Sequence, residues 1–275
     1  MNTVPVAAAR AYESPTEKLK AWVDGAVLHL SFNNPAKHNA ISVEMWEAVP
    51  LLLDQAEKDD AIRMVVFSGQ GPKAFASGAD ISQFEDMRAA REAVKKYEHM
   101  AENALMGLYR FGKPVVAAIH GYCLGGGVNM AISCDIRIAR SDAVFSIPAT
   151  RLGLGYRFSA LKNLVDLVGP GAAQDLFFTA RRIDAGEAKA IGLVSRVAPP
   201  DQFDALLAEY TSAITTGAPL TIKAGKRIIR EVLRPDAHID MDFCQRLIKD
   251  CFESEDYAEG RKAFMEKRKP VFKGK

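Results

Sequence analysis

Two glycine-rich turns hold the part of this chain best suited to chemistry. One is "GYCLGGGVNM", where Gly125, Gly126 and Gly127 interrupt an apolar run, and the other is "FASGADI". Each turn opens a helix-like segment, and the first N–H groups of a helix have no partner within it. Two such turns can each aim one N–H at a shared oxygen, which is an oxyanion hole for a thioester carbonyl. The GxG pattern alone is equally compatible with tight packing of strand against helix.

The elements that must position these turns alternate between strand and helix. The apolar segments "IRMVVFSG" and "PVVAAI" precede the two turns and have the character of buried strands. Upstream, "KAWVDGAVLHLSF" predicts a hairpin around Asp24 and Gly25. The sequence also predicts a helix capped by Ser42 and three later helices at about Ser82–Tyr109, Gly171–Thr179 and Ala185–Ala190, the last ended by Gly192. This order favours an α/β fold.

Three regions differ in character along the chain. Residues 1–17 are expected to form an extended lead-in, and residues 18–201 contain the strands and both glycine turns. From residue 202 to residue 275 the chain is helical and poor in strand signals. We therefore expect a core that carries the site and a separate helical C-terminal module.

Composition excludes several classes of protein. The 275 residues are 48% hydrophobic with a net charge of +2, which gives no indication of nucleic-acid binding. The four cysteines have no metal-ligand spacing, so we expect reduced thiols and no metal site. Residues 114–134 lack charged side chains, but their glycines and Asn129 favour a buried strand and helix over a membrane span. With no secretion signal, a cytoplasmic location is expected.

Several segments, in order and spacing, resemble the crotonase (enoyl-CoA hydratase/isomerase) family. They are "NNPAKHNAIS", "KAFASGADI", "GYCLGGGVNMAISCDIRIA", "ARRIDAGEAKAIGLVSRV" and "FMEKRKPVF", and the resemblance extends over residues 18–273. It implies a spiral of ββα turns with a helical C-terminal module, assembled as homotrimers or dimers of trimers. It further implies an acyl-CoA thioester substrate, with coenzyme A as part of the substrate and no tightly bound cofactor. By match of motif, the oxyanion donors are the N–H groups of Ala79 and Gly126.

The resemblance also suggests which residues contact coenzyme A. It places the loop around Lys37 and His38 against the nucleotide and pantetheine, with much of the contact made by backbone. It places the basic C-terminal segment near the phosphates, although a solvated helix end explains those charges equally well. The candidate coenzyme A contacts are Lys37, His38, Ala76, Gly78, Asp80, Lys267, Arg268 and Lys269.

At two positions the chain departs from the hydratase pattern. That pattern has a glutamate three residues after the second oxyanion glycine and another after the proline of a strand end, and the two activate water. Here these positions hold Asn129 and Ala149. Isomerases keep the second glutamate, so Ala149 removes that chemistry as well. Hydration by the usual mechanism is therefore not expected.

Decarboxylation of a malonyl-type thioester needs an oxyanion hole but no carboxylate base, because loss of CO₂ generates the enolate directly. The segments "RLGLGYRFSALKNL" and "SEDYAEGRKAFMEKRKPVF" look most like the methylmalonyl-CoA decarboxylase branch, in which Tyr156 matches a tyrosine near the reacting carboxylate. That branch has a histidine where this chain has Ala79. Arg157 is a candidate to bind the substrate carboxylate through two parallel hydrogen bonds of its guanidinium. Asn129 is a candidate amide facing the substrate.

These side chains are also compatible with purely structural roles. Tyr156 is equally compatible with a packed ring, and Arg157 with a surface charge. Two other functions also remain open beside decarboxylation. One is hydratase- or isomerase-type activity with a base from elsewhere, and the other is a non-catalytic acyl-CoA-binding protein.

Overall fold

Alternating strands and helices build the chain, as a computed structural model of residues 10–80, 90–234 and 236–275 describes it. The strands are β1 (Arg10–Ala11), β2 (Leu19–Asp24), β3 (Val27–Phe32), β4 (Met64–Gly69), β5 (Ala74–Ala76), β6 (Val115–Ile119), β7 (Tyr122–Leu124), β8 (Ile136–Arg140), β9 (Val144–Ser146), β10 (Ile183–Asp184) and β11 (Arg196–Ala198). The helices are α1 (Val43–Lys58), α2 (Ala90–Arg110), α3 (Gly126–Ser133), α4 (Ala149–Leu152), α5 (Phe158–Thr179), α6 (Ala185–Ala190), α7 (Phe203–Thr216), α8 (Pro219–Val232), α9 (Met241–Phe252) and α10 (Glu255–Met265). Two short 3-10 turns cover Pro35–Lys37 and Asp236–His238.

The strands form two sheets. The larger sheet has the order β1-β2-β3-β4-β6-β8-β11, antiparallel from β1 to β3 and parallel from β3 onward. The smaller sheet has the order β10-β9-β7-β5, with β9, β7 and β5 parallel and β10 antiparallel to β9. Along the chain, a strand of the large sheet, a strand of the small sheet and a helix follow one another three times: β4-β5-α2, β6-β7-α3 and β8-β9-α4. The predicted spiral of ββα turns is therefore confirmed.

Burial on both faces explains the uninterrupted apolar sequence of β6. Val115, Ala117 and Ile119 point into the main core, which also contains the buried faces of α1 and α2 and the small sheet. Val116 and Ala118 point to the opposite face, where α7 covers them through Phe203 and its neighbours. A strand covered on both faces has no solvent side on which to place polar residues, and this gives a continuous apolar run.

The C-terminal helices join the core in two ways. Helix α7 packs on the large sheet, whereas α8 is attached by polar contacts. Lys226 of α8 lies 2.7 Å from the carboxylate of Asp135, and Arg230 lies 3.1 Å from its other oxygen. Lys226 also donates to the backbone oxygen of Lys113 at 2.6 Å. The division at residue 202 remains a prediction, because α7 belongs to the covering of the sheet.

Local sequence predictions have mixed outcomes. The hairpin is confirmed, with Gly25 in the left-handed region between β2 and β3, and Gly192 lies just past α6 in the same region. Ser42 occupies the predicted cap position of α1, although its buried hydroxyl makes no hydrogen bond to the described residues. The predicted lead-in contains the short strand β1, and its residues 1–9 lie outside the described ranges.

Two predicted helices have different bounds in the structure. The helix expected from about Ser82 is described only from Ala90, because residues 81–89 lie outside the described ranges. The helix expected at Gly171–Thr179 is the second half of α5, which is kinked at Gly169. All four cysteines are free thiols, and none of the described helices is long and apolar enough to cross a membrane.

Candidate active site

The first glycine turn is held in place by Ile41, which lies just before α1. The Ile41 N–H donates to the Gly78 carbonyl at 2.7 Å, and the Asp80 N–H donates to the Ile41 carbonyl at 3.0 Å. Ala79 lies between these two contacts, and its N–H donates to no acceptor among the described residues. The bridge to Ile41 therefore fixes the turn and leaves the Ala79 N–H available to a ligand.

The second turn begins α3 and uses its glycines for different purposes. Gly125 has a φ of +49° and donates its N–H to the Ser146 carbonyl at 2.9 Å. A Cβ on Gly127 would lie 2.2 Å from the carbonyl oxygen of Ala76, so no side chain fits there. Gly126 is the first residue of the helix, where an N–H has no partner inside the helix.

The two turns lie against each other. A Cβ built on Gly126 would lie 3.7 Å from the backbone nitrogen of Ala79, and one built on Gly78 would lie 3.8 Å from the nitrogen of Gly126. The N–H groups of Ala79 and Gly126 are thus close neighbours, and a helix start adds the favourable end of its dipole for an anion. This arrangement can bind one oxygen that gains negative charge.

Both turns line one cavity of about 450 Å³. One wall is apolar, formed by Ala40, Pro148, Ala149, Leu152 and Leu154. The remaining lining residues are Lys37, Ser77, Gly78, Ala79, Asp80, Gly125, Gly126 and Tyr156. The cavity therefore combines an apolar surface with backbone donors and few polar side chains, as small-molecule sites generally do.

Tyr156 and Asn129 form one hydrogen-bonded pair. The Tyr156 hydroxyl donates to Asn129 Oδ1 at 2.9 Å, and its ring packs edge-on against Phe177 with centroids 5.2 Å apart. Burial raises the pKa of the Tyr156 hydroxyl well above its usual value, while the hydrogen bond to Asn129 acts in the opposite direction. Tyr156 lines the cavity, whereas Asn129 is connected to it through Tyr156. Ala149 contributes only a methyl group.

Arg157 does not lie with this pair. Its guanidinium is 3.3 Å from the carboxylate of Glu102 on α2, and the Ser159 hydroxyl donates to the same carboxylate at 3.0 Å. Arg157 is not among the residues that line the cavity. The side chain is thus paired with a carboxylate 55 residues earlier in the sequence, and its role in facing the substrate remains a prediction.

The predicted coenzyme A contacts near residue 37 divide into two groups. Lys37 and Asp80 line the cavity and pair with each other at 3.1 Å. His38 and Ala76 instead support the turns: the His38 carbonyl accepts from the Ser77 N–H at 3.1 Å, and the Ala76 carbonyl lies against Gly127. The imidazole of His38 packs edge-on against Tyr122.

The basic tail is organised by acids of its own module. Arg268 is bound by Glu259 through two contacts of 2.6 and 2.8 Å and also pairs with Glu266. These contacts with Arg268 lower the pKa of Glu259 to about 2. Lys267 and Lys269 are exposed, and none of the three basic residues lines the cavity in the described chain. Arg268 therefore has a structural partner that the sequence did not reveal.

Sequence reasoning missed two features of the site. The pairing of Lys37 with Asp80 joins residues 43 apart, and no local pattern announces it. Tyr97 of α2 donates to the Ile41 carbonyl at 3.2 Å and so supports the first turn from behind. Burial raises the pKa of Tyr97 to about 12. The helical spacing of α2 could have placed Tyr97 on the buried face, but not at Ile41.

Comparison with known proteins shows the family. The family model for Enoyl-CoA hydratase/isomerase matches residues 23–275. A short-chain-enoyl-CoA hydratase of Clostridium acetobutylicum is 35% identical over 246 residues, covering 90% of this chain and 94% of that protein. A crotonyl-CoA hydratase of Syntrophomonas wolfei is 33% identical over 247 residues, covering 90% of this chain and 94% of that protein.

Solved structures agree with the sequence relatives. The crystal structure of an enoyl-CoA hydratase/carnithine racemase from Magnetospirillum magneticum matches with a TM-score of 0.88 and 34% identity, covering 95% of this chain and 97% of that one. An enoyl-CoA hydratase from Bacillus anthracis matches with a TM-score of 0.87 and 29% identity, covering 94% of this chain and 100% of that one. Since both sequence and fold match over nearly the whole length, this chain belongs to the enoyl-CoA hydratase/isomerase (crotonase) family.

Proposed function

We propose that this crotonase-family enzyme acts on an acyl-CoA thioester through an enolate held by the N–H groups of Ala79 and Gly126, and that it decarboxylates a malonyl-type substrate. The observation that carries this proposal is the pair of uncharged side chains where hydratases have glutamates. Asn129 is engaged by Tyr156 at 2.9 Å, and Ala149 presents a methyl group to the cavity. Neither side chain can take a proton from water.

The reaction uses the same hydrogen bonds throughout. The thioester oxygen accepts from Ala79 and Gly126, and the bond to the departing carboxylate breaks as its electron pair enters the enolate. Removing one such donor typically costs about 2.7–4 kcal/mol of transition-state stabilisation. A carboxylate entering the cavity needs a compensating charge. Lys37 is the cationic residue among the described residues that line the cavity, so it becomes a second candidate, beside Arg157, to face the carboxylate.

The coenzyme A part of the substrate has two sets of candidate contacts. The turn containing Ser77, Gly78 and Asp80 lines the cavity beside the oxyanion donors, which suits the pantetheine end of a thioester. Lys267 and Lys269 carry exposed positive charge, which suits the phosphates. Arg268 is left out of this set because Glu259 and Glu266 bind it.

Hydration of an enoyl-CoA is the second candidate, and the names of the relatives favour it. It requires a base other than residues 129 and 149. Asp80 is the residue with a carboxylate among the described residues that line the cavity. Its side chain is 7% exposed and pairs with Lys37. A hydratase reaction in this chain would therefore depend on Asp80.

The test is incubation of the purified protein with malonyl-CoA and methylmalonyl-CoA. We expect release of CO₂ together with acetyl-CoA and propionyl-CoA. The thioester products are measured by chromatography. Tight binding of both compounds without CO₂ release over hours would contradict decarboxylation. That result would favour a non-catalytic acyl-CoA-binding protein.

A further inference from the structure

The Tyr156 hydroxyl is placed differently from the other hydroxyl that lines the described cavity. The Ser77 hydroxyl donates to the backbone oxygen of Lys37 at 3.1 Å, within the turn itself. The Tyr156 hydroxyl donates to Asn129, a residue of α3, the helix whose first N–H belongs to Gly126. Asn129 follows Gly126 by three residues, which is about 4.5 Å of helix rise. One short helix therefore sets both the oxyanion donor and the phenol.

The phenol is held from two sides. Phe177 packs against its ring at an interplanar angle of 69°, and Asn129 fixes the hydroxyl at 2.9 Å. Tyr156 precedes α5, and its ring packs against the main core. The phenol oxygen is thus fixed beside the cavity with its proton directed at Asn129 Oδ1. Rotation about the bond between ring and oxygen is all that is needed to turn this proton from Asn129 towards a bound substrate.

The protonation state of the pair also suits a donor. Burial keeps the hydroxyl protonated at neutral pH, and the neutral amide of Asn129 adds no charge that would change this. Lys37 and Asp80, the charged groups among the described residues that line the cavity, pair with each other at 3.1 Å. A thioester α-carbon is a far weaker acid than a phenol, so an enolate carbon takes a proton from a phenol readily.

We propose that Tyr156 is the proton donor that ends the enolate reaction, and that Asn129 is a positioning residue that holds its hydroxyl in place. This inference rests on the proposed decarboxylation. After CO₂ leaves, the electron pair of the enolate forms a C–H bond at the α-carbon with the hydroxyl proton of Tyr156. The resulting phenolate takes a proton from solvent water, and the hydroxide so formed combines with CO₂ as bicarbonate.

The experiment follows the proton. The full-length protein is given methylmalonyl-CoA in D₂O for a few turnovers, and the configuration of the monodeuterated propionyl-CoA is measured by NMR of a chiral derivative. The variants are Tyr156→Phe, Asn129→Leu and, as a matched control, Tyr210→Phe. Tyr210 accepts a hydrogen bond from Arg196 at 3.2 Å, away from the cavity. Butyryl-CoA binding and thermal unfolding establish that each variant is folded.

The wild type and Tyr210→Phe should give a single enantiomer. Tyr156→Phe should still release CO₂ but give equal amounts of both enantiomers, because solvent then protonates the enolate from either face. Asn129→Leu should lower the enantiomeric excess without weakening butyryl-CoA binding. A single enantiomer from folded Tyr156→Phe would overturn the assignment while leaving decarboxylation intact. Absence of CO₂ release by the wild type would overturn both.

Discussion

The proposed reaction depends on two side chains, Asn129 and Ala149. The resemblance to the hydratase pattern implies a glutamate at each position. In the structure the Asn129 amide accepts a hydrogen bond from Tyr156, and Ala149 is a buried methyl group. We propose that the N–H groups of Ala79 and Gly126 act as oxyanion donors beside them. On that proposal, the site keeps the means to stabilise an enolate and lacks the usual means to activate water.

Restoring the carboxylates should restore water addition. Wild-type hydration of crotonyl-CoA should be barely detectable, because losing general acid–base help typically costs roughly 10²–10⁴-fold. The double variant Asn129→Glu with Ala149→Glu should hydrate faster, as followed by loss of enoyl absorbance. Asn129→Gln with Ala149→Gln is the matched control for size. A wild-type turnover near the median for enzymes, about 10 s⁻¹, would contradict this interpretation.

The residue scale also shows where the sequence was insufficient. Residue order placed Arg157 next to Tyr156, but the two side chains have different partners. Glu102, which binds Arg157, lies 55 residues earlier, and Glu259, which binds Arg268, lies on α10, nine residues before it. Charge pairs between distant segments have no periodic signal, so the roles of these arginines could not be predicted from sequence.

Helices and strands were easier to predict from the sequence than the contact partners of individual side chains. The strand β6, the hairpin of β2 and β3, and the start of α3 at the glycines all follow from local patterns, because burial on two faces, turn chemistry and close approach each leave a residue signature. The kink at Gly169 and the unbonded hydroxyl of Ser42 depend on neighbours in three dimensions. The sequence therefore indicated the elements near the site better than it indicated their contacts.

At the scale of elements, α8 is attached through a buried charge whose titration can be measured. Burial lowers the pKa of Lys226 from 10.5 to about 8, while Asp135 acts in the opposite direction. Above pH 8 the unfolded chain binds more protons at this lysine than the folded chain does. The free energy of unfolding should therefore rise with pH between 8 and 9.5, by at most about 1.4 kcal/mol per pH unit.

Urea unfolding across that range measures the effect, and Lys226→Met is the comparison. The variant should lose this part of the pH dependence, while Arg230 remains near Asp135. Lys223→Met is a matched control, because Lys223 lies on the same helix but is 48% exposed and pairs with Glu57. Equal pH dependence in the wild type and Lys226→Met would show that Lys226 titrates normally.

For the whole molecule, we propose assembly as a homotrimer or a dimer of trimers through the C-terminal helices. Large apolar side chains of this module are exposed in the single chain, including Phe264 at 82% and Phe252 at 61%. Contiguous apolar surface of this kind is typical of an interface. Light scattering should give a trimer or hexamer mass, reduced by Phe264→Glu but not by Leu51→Glu on α1. A monomer at micromolar concentration would contradict the proposal.

The basic tail should matter for binding only where its charges face solvent. Replacing Lys267 and Lys269 with Ala should weaken butyryl-CoA binding at low salt, and the loss should shrink as salt screens the phosphates. Lys273→Ala is the matched control, because that residue shares the tail and its N–H is bound by Asp256 at 2.6 Å. Equal affinity of the double variant and the wild type, by calorimetry at low salt, would show that these lysines do not contact the phosphates of coenzyme A.

The central claim is that the Gly126 N–H stabilises an enolate, and one pair of variants tests it most directly. Gly126 is the first residue of α3, where proline is tolerated; proline removes the N–H and puts a ring carbon in place of its hydrogen. Gly126→Ala keeps the N–H, and its Cβ would have ordinary contacts of 3.6–3.7 Å.

The measurement is the rate of CO₂ release from methylmalonyl-CoA. Gly126→Pro should lower it by about 10²–10³-fold, whereas Gly126→Ala should stay near the wild-type rate. Equal rates for the folded proline and alanine variants would contradict the account.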